Sequence, residues 1–159
     1  MGKILVTGGA GFIGYHLSKA LLYRGYEVDL LDNFSRGVKD SFLKKISDQN
    51  YIKLINADLL DSNVVSKIDD SYHYIFHLAA IIGVQHVLKT PYDVLVNNVD
   101  LMKNAIAIAE KQKSLKRFVF TSTSEVYAGT LKHFEIKFPT PETTQLAVTD
   151  LKKNRTTYM

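Results

Sequence analysis

The chain is organised around the stretch Val6-Thr7-Gly8-Gly9-Ala10-Gly11-Phe12-Ile13-Gly14. Before it, the short apolar run from Lys3 to Val6 predicts a strand, and the amphipathic run after it predicts a helix that ends near Arg24-Gly25. Its glycines fit two forms of one pattern. Gly9, Gly11 and Gly14 have the spacing G-x-G-x-x-G, and Gly8, Gly11 and Gly14 fit a variant with a wider first spacing. The sequence therefore predicts a strand, a glycine turn and a helix in direct succession.

Such a turn permits positive φ, leaves no Cβ in the way of a pyrophosphate, and lets the helix pack tightly on the strand. A pyrophosphate would accept hydrogen bonds from the free N–H groups at the helix N-terminus, where the helix dipole favours negative charge. Taken alone, the pattern is equally typical of a tight turn without a ligand. A second strand pattern, Glu27 to Leu31, ends in Asp32, and a carboxylate there can accept from the 2′- and 3′-hydroxyls of an adenosine ribose. The combination favours NAD over NADP, although the nearby Arg36 weakens that preference.

Composition limits the class of protein. The chain has 159 residues, of which 46% are hydrophobic, so it can form one domain with a real core and has no room for two. It has no cysteine, which excludes disulfides and thiolate chemistry and suits a cytoplasmic protein. No apolar run reaches the ~20 residues of a membrane span, and no signal-peptide core precedes the glycines. The basic residues behind the net charge of +4 are scattered, so we interpret them as solvated faces and expect no nucleic-acid partner.

Strand and helix patterns alternate along the rest of the chain. Further strands are predicted over residues 51–56, 74–78 and 117–121. Three further helices are predicted: a short one that ends near residue 46, one over about 62–68, and a long one from Pro91 to about 112. Residues 122–153 are predicted to be mostly irregular. The alternation implies right-handed crossovers and a doubly wound α/β fold with a parallel sheet, which is a Rossmann fold.

Three further stretches carry polar or small residues, two of them near predicted strand ends and one on the long helix. His77-Leu78-Ala79-Ala80 closes the fourth strand, Thr121 to Tyr127 follows the fifth, and Asn97-Asn98 lies on the long helix between them. In an open parallel sheet, ligands bind beyond the carboxyl ends of the strands, where the first two stretches fall. We interpret His77 as a packed strand-end residue rather than a catalyst. No metal site is predicted, because the spacing of the remaining histidines fits none: His16, His73, His86 and His133.

Together with the glycine turn, Asp32-Asn33 and Asp58-Leu59, these motifs resemble the extended short-chain dehydrogenase/reductase family, the NAD-dependent epimerases and dehydratases that act on nucleotide sugars. The resemblance covers nearly the whole chain. It implies that NAD is the cofactor, that the substrate is a nucleotide sugar, and that the full-length protein is a homodimer built on two long helices from each subunit.

The resemblance also implies a role for each matching residue around the cofactor. The backbone of Phe12 and Ile13 would meet the pyrophosphate, and Asp32 with its neighbours would hold the adenosine ribose. Asp58-Leu59 would flank the adenine, and Leu78 to Ala80 would line the nicotinamide side, braced by Asn98. The full set of implied cofactor-binding residues is Gly8, Gly11, Phe12, Ile13, Gly14, Asp32, Asn33, Ser35, Arg36, Asp58, Leu59, Leu78, Ala79, Ala80, Asn98 and Thr121.

The implied catalytic residues lie later in the chain. Thr123 matches the family's catalytic Ser/Thr, which hydrogen-bonds a sugar hydroxyl, and Tyr158 looks like the tyrosine of the family's Tyr-x-x-x-Lys motif. In that chemistry the tyrosinate removes a proton from the sugar hydroxyl while hydride passes to the nicotinamide, and a nearby ammonium lowers the tyrosine pKa from its usual ~10. Glu125 is equally consistent with an acid/base role and with an ordinary solvated carboxylate.

Two departures from the family pattern qualify these expectations. Ala128 stands where the family usually has glycine, a minor change. The sequence ends at Met159, so it contains neither the lysine expected four residues after Tyr158 nor the substrate-binding lobe. We therefore expect the sequence to be the N-terminal portion of a longer enzyme. Residues 1–159 would form an incomplete NAD-binding domain, which we expect to be inactive in this form.

The kind of reaction is only weakly indicated. Many dehydratases of the family carry an Asp-Glu pair after the catalytic threonine, whereas this chain has Thr123-Ser124-Glu125. A 4-epimerase is therefore favoured, with a nucleotide-sugar dehydratase or decarboxylase as the alternative. The alternative from another class is a non-catalytic, NAD-binding regulatory protein on the same fold, since a fold alone does not confer function.

Overall fold

The computed structural model describes residues 2–37 and 40–148. All five predicted strands are present, each within one residue of its predicted bounds: β1 (Lys3–Thr7), β2 (Glu27–Asp32), β3 (Ile52–Asn56), β4 (Tyr74–His77) and β5 (Arg117–Phe120). The helices are α1 (Phe12–Tyr23), α2 (Ser41–Ser47), α3 (Val64–Lys67), α4 (Val84–Lys89), α5 (Pro91–Glu110) and α6 (Ala128–His133), with a 3₁₀ helix over Ser124–Tyr127.

The five strands form one parallel sheet in the order β3-β2-β1-β4-β5. This order confirms the predicted α/β class. From β1 the chain first builds outward through β2 and β3, and then crosses to β4 and β5 on the other side. The reversal between β1 and β4 is a topological switch point, where open α/β sheets bind ligands at the carboxyl ends of the strands.

The chain divides into two compact units. Among the described residues, the first comprises those up to Ala80 together with Asn98–Thr121 and contains the five-stranded sheet. The second comprises Ile81–Asn97 and the described residues from Ser122 onward. The α5 helix contributes residues to both units. The assignment of residues 1–159 to one domain stays a prediction.

Apolar residues cover both faces of the sheet. On one face, Ile4, Val6, Val28 and Leu30 pack with residues of α1 and α2 in one buried cluster. Successive strand residues point to opposite faces, and the residues between them are buried as well: Leu5, Leu31 and Ile75. Strands buried on both faces explain why β1 and β2 read as nearly continuous apolar runs in the sequence.

Helix α1 ends as the sequence predicts. Arg24 is the C-cap, and Gly25 follows it with a φ of +80°, which a glycine adopts without the strain of a side chain. The N–H groups of Arg24 and Gly25 donate to carbonyls of the last turn. This stop turns the chain back into β2 and places Asp32 at the same edge of the sheet as the glycine turn.

Two predictions about secondary structure were incomplete. No element was predicted for residues 81–90, where α4 lies, since six residues give too short a pattern to read. Residues 122–153 were expected to be mostly irregular, which is wrong for Ser124 to His133, where the 3₁₀ helix leads directly into α6. The Thr123 hydroxyl caps the 3₁₀ helix by accepting from the Glu125 N–H at 3.2 Å.

Candidate cofactor site at the carboxyl ends of the strands

The glycine turn connects β1 to α1 with the geometry that its sequence predicts. Gly8 has a φ of +69°, and its N–H donates to the Leu31 carbonyl of β2 at 2.8 Å. A Cβ built on Gly8 would lie 2.9 Å from the backbone nitrogen of Ala79, just past β4. The first glycine that needs positive φ is thus Gly8, so the geometry fits the pattern with the wider first spacing.

The other two glycines of that pattern serve different needs. A Cβ on Gly14 would lie 2.5 Å from the Gly8 oxygen and 2.7 Å from the Gly9 Cα, so only glycine lets α1 approach the turn this closely. At Gly11, a Cβ would meet one atom of the described part of the chain, the Gly8 oxygen, at 3.2 Å. Its other side is open, as an approaching pyrophosphate requires.

The first turn of α1 offers unused hydrogen-bond donors. Gly11 is the N-cap, and no side chain in the described ranges caps the helix. Among the described residues, none accepts from the N–H groups of Phe12, Ile13 or Gly14, while the Tyr15 N–H donates to Gly11 at 2.9 Å. The Phe12 and Ile13 side chains are 82% and 63% exposed. Three aligned donors at the positive end of a helix dipole can donate hydrogen bonds to an anion, as the sequence analysis expects of this turn.

Asp32 ties the glycine turn to the loop after β2. One carboxylate oxygen accepts from the Ala10 N–H at 3.0 Å, and the other accepts from the Phe34 N–H at 2.8 Å. The side chain is largely buried. Gly37 closes the same loop, since a Cβ there would lie 2.7 Å from the Ala10 Cβ and 3.1 Å from an Asp32 oxygen. Asp32 therefore stabilises the site in addition to any contact with a ribose.

The residues predicted to lie beside the adenine and its ribose also contact one another. The Asn33 amide donates to the Asp58 carboxylate at 3.1 Å, and the other Asp58 oxygen accepts from the Leu60 N–H at 2.8 Å. Asn33, Ser35, Arg36 and Asp58 are all exposed. The Leu59 side chain is buried, and its carbonyl accepts from the Asn104 amide, so only its main chain can face a ligand.

At the end of β4, His77 is buried and its Nδ1 lies 2.8 Å from the Thr7 hydroxyl. Burial lowers the pKa of His77 to about 4, so the ring is neutral at physiological pH. Thr121, which follows β5, donates its hydroxyl to the His77 carbonyl at 3.1 Å. His77 is thus the packed strand-end residue that its sequence position predicts. Leu78 and Ala79 are partly buried beyond it, and Ala80 is exposed.

For the remaining predicted residues, the structure gives the element and the burial of three and does not describe the fourth. Asn98 is partly buried on α5, and Thr123 and Glu125 are partly buried at the start of the 3₁₀ helix in the second unit. Tyr158 lies outside the described residues. Among the described residues, the structure contains no group of three or more His, Asp or Glu side chains that could hold a metal ion. No helix in the described ranges is both long and apolar enough to cross a membrane.

Sequence reasoning missed Thr7 and Ala10 as members of this site. Ala10 contributes through its N–H, which a side-chain pattern does not reveal. Thr7 is a polar residue at the end of an otherwise apolar strand, and this signal was available in the sequence.

Comparisons with known proteins identify the family of the chain. A sequence profile of the NAD dependent epimerase/dehydratase family matches residues 4–158. The chain belongs to the NAD-dependent epimerase/dehydratase family. The resemblance predicted from the sequence motifs is therefore confirmed, and NAD is the family's cofactor.

Two members of the NAD-dependent epimerase/dehydratase family are 38% and 33% identical to the chain over the aligned residues. It is 38% identical over 125 residues to a UDP-N-acetyl-alpha-D-glucosaminuronate decarboxylase of Bacillus cytotoxicus, covering 79% of this chain and 37% of that protein. It is 33% identical over 131 residues to UDP-glucuronate 4-epimerase 6 of Arabidopsis thaliana, covering 79% of this chain and 28% of that protein.

The fold of the chain also matches solved structures of the family. The UDP-Glc/GlcNAc 4-epimerase of Campylobacter jejuni superposes with a TM-score of 0.77 at 29% identity, covering 92% of this chain and 43% of that one. The chain thus spans less than half the length of these relatives.

Proposed function

We propose that this chain supplies the NAD-binding part of a nucleotide-sugar enzyme that oxidises a sugar hydroxyl by hydride transfer to NAD. The observation that carries the proposal is the row of unused N–H groups on Phe12, Ile13 and Gly14, next to Asp32 at the switch point of the sheet. Bound there, NAD supplies the hydride acceptor. The chain's own residues bind its phosphates, orient its two ends and hold the sugar hydroxyl.

Each half of the cofactor has its own residues in this proposal. The first-turn N–H groups of α1 bind the pyrophosphate, and Asp32, which still has acceptor capacity on both oxygens, binds the adenosine ribose. Asn33, Ser35 and Arg36 lie on the loop beside that ribose, and Asp58 with the Leu59 main chain flanks the adenine. The nicotinamide half is lined by Leu78, Ala79, Ala80, Asn98 and Thr121.

The proton chemistry is assigned to Thr123 and Tyr158, with Glu125 as an additional acid/base group. The Thr123 hydroxyl accepts from the Glu125 N–H, so its own proton is free to be donated to a sugar oxygen. Thr123→Val should lower kcat about 100-fold with NAD affinity unchanged, while Thr123→Ser retains most activity. Tyr158→Phe should abolish turnover; substantial activity in Tyr158→Phe would show that another group is the base.

The product distinguishes the candidate reactions. Once the sugar hydroxyl is a ketone, returning the hydride to the opposite face gives an epimer, whereas a carboxylate β to the ketone can leave as CO₂. The Thr-Ser-Glu run favours 4-epimerase chemistry; the 38% identity to a decarboxylase favours the second reaction. Incubating the full gene product with UDP-glucose, UDP-N-acetylglucosamine and their uronic acids tests this. An epimer supports the first reaction, CO₂ release supports the second, and a 4-keto-6-deoxy product indicates a dehydratase.

The alternative from another class, a silent NAD-binding regulator, predicts a different result in that assay. It expects saturable NAD binding with no conversion of any nucleotide sugar. We further propose a cytoplasmic homodimer that uses α5, where Tyr92, Leu95, Val99 and Ile106 expose apolar surface. Cell fractionation tests the location.

A further inference from the structure

Thr7 and His77 face each other across the two strands at the switch point. They are partners in the register of β1 and β4, so their side chains share one face of the sheet. Thr7 is 0% exposed and His77 is 3% exposed, and Oγ1 of one lies 2.8 Å from Nδ1 of the other. Neither residue belongs to the proposed cofactor contacts.

The Thr7 hydroxyl also reaches the segment beyond β4. It accepts from the Ala79 N–H at 3.3 Å, while the Thr7 carbonyl accepts from the Leu78 N–H at 3.1 Å. Gly8 follows Thr7 directly, and a Cβ on Gly8 would lie 2.9 Å from the same Ala79 nitrogen. Thr7 thus holds the segment Leu78–Ala80 against the glycine turn.

The His77 ring is held from its other side by β5. It stacks on Phe118 and Phe120 with centroid distances of 6.2 Å in both cases, and the Thr121 hydroxyl donates to its carbonyl. A phenylalanine would make the same ring contacts with β5 without a polar partner. The imidazole instead presents Nδ1 to Thr7, so that the hydroxyl can donate to His77 and accept from Ala79 at once.

We propose that Thr7 and His77 form a buried tie that positions Leu78–Ala80 for the nicotinamide half of NAD. Both are positioning residues, which act through Ala79 and touch no ligand. The inference rests on the proposed function, because it takes NAD as the ligand and Leu78–Ala80 as its nicotinamide side. Breaking the tie removes the partner of the partly buried Ala79 N–H and of the buried His77 Nδ1. The pyrophosphate and adenosine contacts come from other groups and remain in place.

The test uses two ligands that differ in the nicotinamide ring alone, NAD and ADP-ribose. Thr7→Val keeps the shape of the side chain and removes the hydroxyl, and Thr7→Ser is its matched control because it retains the hydroxyl. Calorimetric titration of the full gene product should show NAD binding weakened about tenfold in Thr7→Val, as the loss of one or two hydrogen bonds implies. ADP-ribose binding should change less than twofold, and Thr7→Ser should bind both ligands like the wild type.

The outcomes separate this proposal from the proposed function. If the wild type binds neither ligand, both proposals fail. If it binds both, and Thr7→Val weakens both equally, weakens neither, or behaves like Thr7→Ser, then the tie alone is refuted. Circular dichroism reports whether Thr7→Val folds. If it does not, His77→Phe, which keeps an aromatic ring against Phe118 and Phe120, is titrated in its place with the same expectation.

Discussion

Asp32 has two tasks in this account, and its geometry decides whether they are compatible. Its two carboxylate oxygens accept N–H groups from Ala10 and Phe34, which fixes the glycine turn against the loop after β2. Each oxygen has a second lone pair, so a ribose hydroxyl can be accepted without giving up either bond. A substitution at Asp32 therefore affects the shape of the turn as well as the recognition of the ribose.

Replacing Asp32 should accordingly affect stability and cofactor choice together. Asp32→Ala removes the two hydrogen bonds that the carboxylate accepts from the Ala10 and Phe34 N–H groups, so we expect a loss of about 1–3 kcal/mol in unfolding free energy. NAD binding should weaken at least about tenfold, and the preference for NAD over NADP should fall, because the negative charge that repels a 2′-phosphate is gone. Chemical denaturation and titration with both dinucleotides measure these effects.

The matched control for Asp32→Ala is Asp48→Ala, which removes an exposed carboxylate after the end of α2. It should change neither stability nor cofactor binding. Tighter binding of NADP than of NAD by the wild type would contradict the role given to Asp32.

His77 should make the free energy of unfolding depend on pH in the acidic range. Its pKa is lowered by burial to about 4 in the folded protein, against about 6.5 in the unfolded chain. Below pH 6.5 the unfolded chain therefore binds a proton that the folded protein does not, and stability falls until the pH drops below about 4. The full loss from this group is about 3 kcal/mol.

Denaturation at a series of pH values, for the wild type and His77→Phe, isolates this contribution because the other titrating groups are shared. The stability difference between the two proteins should change steadily between pH 6.5 and 4 and be constant above pH 7. A difference that does not depend on pH would show that the His77 pKa is not lowered.

At the scale of the elements, the approach of α1 to the glycine turn is the most sequence-dependent feature. Gly14→Ala places a Cβ against the backbone of both Gly8 and Gly9, and backbone atoms cannot move aside without opening the turn. We expect a destabilisation of about 1–3 kcal/mol, as overpacking typically costs, and loss of NAD binding. Thermal unfolding and NAD titration are the measurements.

Gly25→Ala is the control, because it makes the same chemical change at the other end of α1. No atom of the described residues lies within 4 Å of a Cβ there, so the cost is the strain of a φ of +80°, about 1 kcal/mol. NAD affinity should be unchanged. Equal losses of NAD affinity in Gly14→Ala and Gly25→Ala would mean that the turn has no special role.

The elements that the sequence predicted well are those with long or chemically distinctive patterns. The central strands β1 and β2 are buried on both faces, whereas β3 and β5 are partly exposed, but each strand still has a short run of apolar residues that the sequence reveals. The alternation of strands and helices fixes the parallel class. The α4 helix and the helical stretch from Ser124 to His133 were missed because short helices are held by contacts distant in sequence. In the second unit, for example, Thr130 donates to the Gln145 carbonyl at 2.7 Å.

The candidate site was predicted in part for a similar reason. Glycines at fixed spacing and an acidic strand end are visible in the sequence, so Gly8 to Gly14 and Asp32 could be named. The sequence did not show that Asp32 accepts from Ala10, that Asn33 pairs with Asp58, or that Thr7 pairs with His77. These contacts join residues 22 or more positions apart, and only the order of strands in the sheet brings them together.

At the scale of the whole molecule, the exposed apolar face of α5 bears on the proposed dimer. Leu95, Val99 and Ile106 recur at helical spacing and are each 43–49% exposed, which is typical of a helix that meets a partner. We expect the full gene product to sediment as a dimer and Val99→Glu to sediment as a monomer. Lys45→Glu, a change of charge at an exposed position of α2 and so away from α5, is the control and should remain dimeric. A monomeric wild type would contradict the proposed assembly.

The central claim is that the glycine turn binds the phosphates of NAD through the first N–H groups of α1. A ¹H–¹⁵N NMR titration with NAD observes these groups individually. The account predicts saturable shifts that are largest for the amides of Phe12, Ile13 and Gly14, with ADP-ribose reproducing them, since the pyrophosphate is common to both ligands. Gly14→Ala should abolish these shifts. Absence of saturation, or saturable shifts confined to amides elsewhere in the chain, would contradict the account.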